Sequence, residues 1–257
     1  MAIHPTAIVD PKARLHSSVE VGPYAVIGPK VKIGEGTTIG PHAVIVGDTA
    51  IGARNRIFQF ASVGAEPQDL KYAGEDTRLE IGDENLIREF TTLHIGTTGG
   101  GGVTRIGNKN LFMAYSHVAH DCQVGNGCVL ANSVALAGHV EIGDFVVIGG
   151  LAGIHQFSRI GRHAFIAAGA VVVMDVPPYC TAQGDRAELV GLNSVGLTRH
   201  GYTEEQIRRI KESYQLLFRS KLGLNEALSR IKAEFGNHAE IAFFLDFVCS
   251  SKRGITR

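Results

Sequence analysis

The 257-residue sequence contains no tryptophan and carries no net charge, with 25 basic and 25 acidic side chains in balance. That balance argues against a broad nucleic-acid-binding surface, which needs an excess of lysine and arginine. No apolar run approaches the roughly 20 residues that span a bilayer, so no integral membrane segment is expected. No signal peptide is visible, because the repeat described below already starts at Ile3. The four cysteines, Cys122, Cys128, Cys180 and Cys249, are too few to staple a chain of this length. Cys122 and Cys128 occupy a slot that elsewhere holds Ala, Ser, Thr or Val. They read as small core residues of a reduced, cytoplasmic protein.

What is present is glycine, 32 of them, set among short apolar positions at a fixed spacing. Ile106, Phe112, Val118, Val124, Leu130, Leu136, Ile142, Ile148, Ile154, Ile160, Ile166 and Val172 each open a hexad. An earlier series opens on Ile3, Val9, Leu15, Val21, Ile27, Ile33, Ile39, Ile45, Ile51, Ile57 and Val63, with a small or branched residue usually in fifth place. A short fixed period decides architecture before any local propensity does. One hexad makes a strand and a turn, and three make one triangular coil with its aliphatics stacked inward. The prediction is a parallel β-helix of hexapeptide repeats over 1–185, followed by a connector and a small helical domain over 186–257.

Two segments interrupt the pattern. Residues 64–80 form a loop that replaces a coil or projects from it. The spacing of Val63 and Ile81 equals one regular coil, so the blocks at Ile81, Ile87 and Leu93 are expected to stay in register with it. Residues 98–105 shift the phase by one, and their four consecutive glycines read as a flexible external loop. They are not a phosphate loop, since no Gly-Lys-Ser/Thr follows. Near Val176 the helix is expected to end, with an irregular connector over 179–201. Thr203 and Gln206 make a capping box for a helix striped by Ile207, Ile210, Tyr214 and Leu217. Further helices are expected to start at Asn225 and Asn237. Arg208, Arg209 and Lys211 give the first of these helices a basic cluster, either a solvated face or a dock for an acidic partner.

The coil period stacks His120, Gly138 and Gln156 in one column and Asp121 with His139 in the next. His117 and His155 fall close by. A histidine near its ordinary pKa can take a proton from a hydroxyl at neutral pH, and an adjacent carboxylate can fix its tautomer. A glycine offers an unhindered N–H to an oxyanion.

At these residues the chain resembles the UDP-N-acetylglucosamine O-acyltransferases that begin lipid A synthesis. The resemblance rests on QDLKYAGE (68–75), HVAHDC (117–122), LAGHV (136–140), IHQF (154–157), DVPPY (175–179) and RGITR (253–257). It implies left-handed coils and transfer of a 3-hydroxyacyl group from acyl carrier protein to the sugar 3-position, with no cofactor and no metal. His120 would be the general base, Asp121 its orienting carboxylate and Gly138 the oxyanion donor. Asp69, Lys71, His117, His139, His155 and Gln156 would hold the sugar nucleotide or acyl group, and Asn193 and Arg199 the nucleotide. Ala168 would set acyl-chain length, its small side chain suiting a longer chain. The family implies a homotrimer with sites between subunits, and the acidic carrier would suit the basic helix.

Three positions depart from the family pattern: Ile95 where arginine is common, Val195 where an acid is common, and His200 in place of a second arginine. They bear on nucleotide contacts rather than on acyl transfer. Relatives that use a 3-amino sugar share the remaining residues, so the acceptor atom stays open. Other readings are the later N-acyltransferase of the pathway, which usually carries an extra N-terminal domain, and a noncatalytic scaffold. A further one is a zinc enzyme resembling the trimeric γ-class carbonic anhydrases, with His117, His120 and His139 as ligands.

Overall fold

Each hexad forms a short strand whose last residue points inward, and the computed structural model, which describes residues 2–257, winds these strands into a three-sided left-handed parallel β-helix. The chain visits sheet A, then B, then C, and returns to A one coil higher. Ile27, Ile45, Val63, Leu93, Val118, Leu136 and Ile154 stack in register on sheet B and are buried. Burying each such side chain contributes roughly 1.5–3 kcal/mol. The small fifth-place residues Ala25, Thr37, Ala43, Thr49 and Ala61 are buried at the corners. Cys122 and Cys128 share that environment as free thiols, and burial pushes both up to about 12.

The corners demand left-handed backbone. Tyr24, His42, Phe60, Phe90 and Tyr115 at the A–B corner all have positive φ, as do Asp121, His139 and Phe157 at the B–C corner. Non-glycine residues occupy that region at a cost, which the ladder on either side offsets. The conformation throws these side chains outward in columns.

Both interruptions leave from the B–C corner, one coil above the other. Ile51 pairs with Ile81 and Val63 with Leu93, so the first interruption lengthens a coil by two whole hexads. Val63 and Ile81 therefore lie on different sheets of one coil and are not counterparts, contrary to the expectation from their spacing. Because the insertion is a whole number of hexads, it keeps the phase and hides itself. In the second, Ile81 pairs with Ile106 and Leu93 with Val118, which lengthens that coil by one hexad and a single odd residue. The odd residue accounts for the phase shift of one.

The segment expected to be an irregular connector is largely ordered. Cys180–Gln183 continues sheet A beside Phe165–Ile166, then turns back antiparallel through Glu188–Leu192. Helix α1 (Ser194–Arg199) follows, then α2 (Glu204–Phe218), with the Thr203–Gln206 capping box in place. Helices α3 (Leu224–Phe235) and α4 (Ala239–Cys249) start after Gly223 and His238, not at Asn225 and Asn237. Neither start has a side-chain cap, so the sequence marked it only weakly. The basic cluster of α2 is also altered: Arg209 turns inward between Glu205 and Glu240, and only Arg208 and Lys211 remain exposed. The C-terminal tail closes the end of the β-helix, where Thr256 N–H donates to the Asp175 carbonyl.

Candidate active site

The B–C corner gathers the chemistry. Asp121 has a fully buried carboxylate beside His120, whose side chain is 14% exposed. His120 Nδ1 lies 2.8 Å from Asp121 Oδ2. An ionised carboxylate only accepts, so Nδ1 carries the proton and Nε2 keeps its lone pair. That is the tautomer a base needs.

Asp121 is held from the other side as well. Thr97 N–H donates to Oδ1 at 2.9 Å and Thr97 Oγ1 to Oδ2 at 2.6 Å, while Asp121 N–H donates to Thr104 Oγ1 at 2.8 Å. His139 follows one coil up, with Nδ1 3.9 Å from the same carboxylate and its ring edge-on to His120. Burial lowers the His139 pKa, while Asp121 and Asp69 oppose that shift. Asp69 is therefore close enough to be felt, and the insertion that carries it and the exposed Lys71 folds toward this corner.

Gly138 lies directly against His120. A side-chain carbon there would sit 2.6 Å from Cε1 and 2.7 Å from Nε2. The Gly138 N–H has no acceptor among the described residues, whereas the N–H of the next residue, His139, bonds the His120 carbonyl. A base with a free lone pair and an unengaged backbone donor thus share one small space.

His117 projects from sheet B toward the corner, with Nδ1 2.7 Å from the Thr92 hydroxyl. Behind it sits His94, edge-on and 4% exposed, its Nδ1 unpartnered. Burial pulls His94 down to about 4 and His117 down as well. Two coils above His117, and one above His139, His155 and Gln156 are exposed, and Arg253 reaches from the C-terminal tail to within 2.8 Å of His155 Nδ1. An open cleft of about 820 Å³ runs along this corner past Asp121, His139, Phe157, Arg159, Lys252 and Arg253.

Three of the expected residues lie elsewhere on the chain. Asn193 caps α1, accepting from Gly196 N–H and donating to the His163 carbonyl at the C–A corner. Arg199 is exposed in the last turn of the same helix. Ala168 is exposed at the A–B corner. Of the departures from the family pattern, Ile95 is buried in the core beside Gly47, and Val195 is 64% exposed on α1. His200 packs its ring against His163 and Phe145.

Donor atoms close enough to share an ion are those of His120, Asp121 and His139, all within 4.8 Å of one another. That differs from the zinc set read from sequence: Asp121 stands in place of His117, whose Nδ1 faces the Thr92 hydroxyl. Thr92, His94, Thr97, Thr104 and Arg253 join the site without a sequence signal of their own. His94 and Thr97 stand in the LHIGT stretch and Arg253 in RGITR, so proximity to a motif is the one hint they carry.

A family model described as Udp N-acetylglucosamine O-acyltransferase, Domain 2, matches residues 175–256, and one for bacterial transferase hexapeptide (six repeats) matches 104–138. An acyl-[acyl-carrier-protein]–UDP-N-acetylglucosamine O-acyltransferase from Myxococcus xanthus is 66% identical over 99% of both chains. The UDP-N-acetylglucosamine O-acyltransferase structure from Moraxella catarrhalis superposes with a TM-score of 0.97 at 46% identity, covering 100% of both chains. The UDP-N-acetylglucosamine acyltransferase of Arabidopsis superposes at 0.85 and 35% identity, covering 99% of this chain and 100% of its own.

Proposed function

Because the chain belongs to the UDP-N-acetylglucosamine O-acyltransferase family, we propose that the B–C corner transfers a 3-hydroxyacyl group from acyl carrier protein to the 3-hydroxyl of UDP-N-acetylglucosamine. The enzyme is an acyl-[acyl-carrier-protein]–UDP-N-acetylglucosamine O-acyltransferase and catalyses the first step of lipid A biosynthesis. The observation that carries the site is the buried Asp121 oxygen 2.8 Å from His120 Nδ1, with the free Gly138 N–H beside the same ring.

His120 Nε2 takes the proton of the sugar 3-hydroxyl as its oxygen attacks the thioester carbon. Negative charge moves to the carbonyl oxygen, which accepts from Gly138 N–H. Collapse of the tetrahedral intermediate breaks the C–S bond, and the departing thiolate recovers the proton from the imidazolium. Asp121 stabilises that imidazolium without giving up its own position. Asp69, Lys71, His117, His139, His155 and Gln156 line the approach and hold the sugar nucleotide and acyl group.

Asn193, Arg199 and Ala168 join this site only through other copies of the chain. Along the A–B corner Tyr24, His42, Phe60, Phe90 and Tyr115 stack with centroids 4.8–5.2 Å apart, and all five are exposed. Such a stripe is what a threefold axis would bury. With that corner at the axis, sheet A of one copy looks across a cleft at sheet B of the next. The corner bearing Asn193 and Arg199 then faces the next copy's His120. Sheet C, whose outward Glu80, Arg105, Gln123, Glu141 and Arg159 are polar, stays toward solvent. Ala168 near the axis would close the inner end of an acyl groove. The free thiols fit a reducing cytoplasm, and no helix among the described residues is long and apolar enough to cross a membrane.

The test offers carrier-protein thioesters of several lengths with UDP-N-acetylglucosamine or its 3-amino analogue, with and without chelator. Chelator-insensitive transfer to the hydroxyl sugar is expected, and it should fall about 10²–10⁴-fold in His120→Ala. Transfer to the amino analogue alone would change the acceptor, and wild-type rates in a folded His120→Ala would remove this base.

A further inference from the structure

The glycine stretch after Thr97 does not project freely, as its composition suggested. Thr98–Gly100 form a single 3₁₀ turn, and the turn folds back onto the buried Asp121. Any side chain at Gly100 would overlap the Asp121 carboxyl, and one at Gly96 would come within 2.8 Å of its Oδ1. Gly99 has its nearest neighbour at 3.9 Å and no positive φ, so a methyl group fits there. The four consecutive glycines are thus not equivalent. Gly100 is bare because of the carboxylate, and Gly101 and Gly102 because of φ values of 91° and 80°.

We propose that Gly96, Thr97 and Gly100 form a clasp that positions the Asp121 carboxylate, and that Thr97 is a positioning residue for the acyl-transfer reaction, acting through Asp121 on His120. The inference rests on the roles assigned to His120 and Asp121 above. Thr97 supplies two donors, one to each carboxylate oxygen, at 2.9 and 2.6 Å. Oδ2 is shared between Thr97 Oγ1 and His120 Nδ1. With both oxygens anchored from behind, the carboxylate cannot rotate, and the remaining lone pair on Oδ2 faces the imidazole. The orientation of His120 is therefore fixed by a residue that never approaches the substrate. A buried carboxylate left with one donor fewer would seek another partner, and His139 Nδ1 stands 3.9 Å away. Without the threonine hydroxyl the carboxylate is free to swing toward His139, and His120 loses its tautomer control.

The experiment is steady-state kinetics on the full-length enzyme carrying Thr97→Val, Thr97→Ser, Gly99→Ala, Gly100→Ala and Asp121→Ala, with thermal melts alongside. Thr97→Val should lower kcat about 10- to 100-fold, the range for one hydrogen bond to a charged group, with KM for the sugar nucleotide unchanged. Thr97→Ser keeps the hydroxyl and should restore the rate. Gly100→Ala should lose kcat while Gly99→Ala matches wild type. In an Asp121→Ala background Thr97→Val should have no further effect, because the residue it acts through is gone. Wild-type kcat in Thr97→Val beside an impaired Asp121→Ala would overturn the clasp and leave the catalytic pair standing. Full activity in Asp121→Ala would overturn the proposed mechanism itself, and the clasp with it. A loss that Thr97→Ser does not rescue, or that adds undiminished to Asp121→Ala, would assign Thr97 a purely structural role.

Discussion

The imidazole of His139 lies flat on the ring of Phe157, with centroids 4.3 Å apart and planes 9° apart. Both residues are corner residues with left-handed φ, one coil apart, so the stack follows from the repeat. Phe157 is 53% exposed and contributes little to the core, yet it fixes the ring that stands beside Asp121. Aromatic pairs of this kind contribute about 0.5–1.5 kcal/mol. Phe157→Ala should therefore lower kcat/KM for the sugar nucleotide roughly 2- to 10-fold by that energy, with a small change in melting temperature. Phe157→Tyr should restore the value. An unchanged kcat/KM in the alanine variant would mean that His139 needs no platform.

Gly138 lies so close to His120 that the smallest side chain would displace the base. A methyl 2.6 Å from Cε1 forces the ring away or tilts the turn that carries the proposed oxyanion donor. Either movement harms the transition state more than the ground state. Gly138→Ala is expected to cost at least about 100-fold in kcat, the size of losing one oxyanion donor. Circular dichroism and a melt should show the β-helix intact. Near-normal turnover in this variant would exclude both the contact and the donor from the mechanism.

Where the sequence placed residues correctly, the reason was an unbroken period. Between Ile106 and Val172 nothing is inserted, so His120, Asp121, Gly138 and His139 could be placed together by counting in eighteens. Across the second insertion the same column is offset by 24 or 25, which concealed Thr97 against Asp121 and Thr92 against His117. The two-hexad insertion concealed itself by preserving the phase. Side-chain direction was beyond the pattern too. Arg209 looked like part of a basic face until Glu240, distant in sequence on α4, drew it inward. The starts of α3 and α4 carry no side-chain cap, so tertiary packing rather than local sequence sets them.

The stacked ladder on the A–B corner gives the proposed trimer a direct test. Phe60 and Phe90 sit in its middle, 5.2 Å apart and nearly parallel, 47% and 41% exposed. On a threefold axis each would meet its two copies, so Phe60→Glu with Phe90→Glu would bring six carboxylates together in a poorly solvated space. Opposing like charges and lost apolar contact both disfavour association. Light scattering behind a sizing column should show the wild type at three chains and the double variant at one, with transfer lost because Asn193 and Arg199 no longer reach a neighbour. A double variant that keeps both mass and activity would place the axis elsewhere.

Two buried histidines tie stability to pH in a window that opens well above that of the carboxylates. Burial is the main cause that pulls His94 and His163 from the ordinary 6.5 down to about 4, and for His163 the neighbouring His200 and Arg162 add to it against Asp144. Their unfolded forms bind a proton near pH 6.5 while the folded forms stay neutral to about 4. The unfolded state thus holds more protons between those values, and stability present above pH 6.5 is lost as pH falls toward 4. Each histidine accounts for about 3 kcal/mol across the whole window. His117 and His139, also lowered, act in the same direction. The paired glutamates, such as Glu80 beside Arg78 and Arg105, lie below 4.5 and weaken the fold only at lower pH. His163 Nδ1 has no hydrogen-bond partner among the described residues, and its ring stacks on Phe145, so phenylalanine can replace it without breaking a hydrogen bond there and without losing the stack. Urea melts of the wild type should lose stability steadily from pH 6.5 to 4.5. His163→Phe should match or exceed the wild type at pH 7.5 and show a visibly shallower slope below 6.5. A variant slope equal to the wild type's would mean that His163 takes up its proton in the folded state as readily as in the unfolded chain.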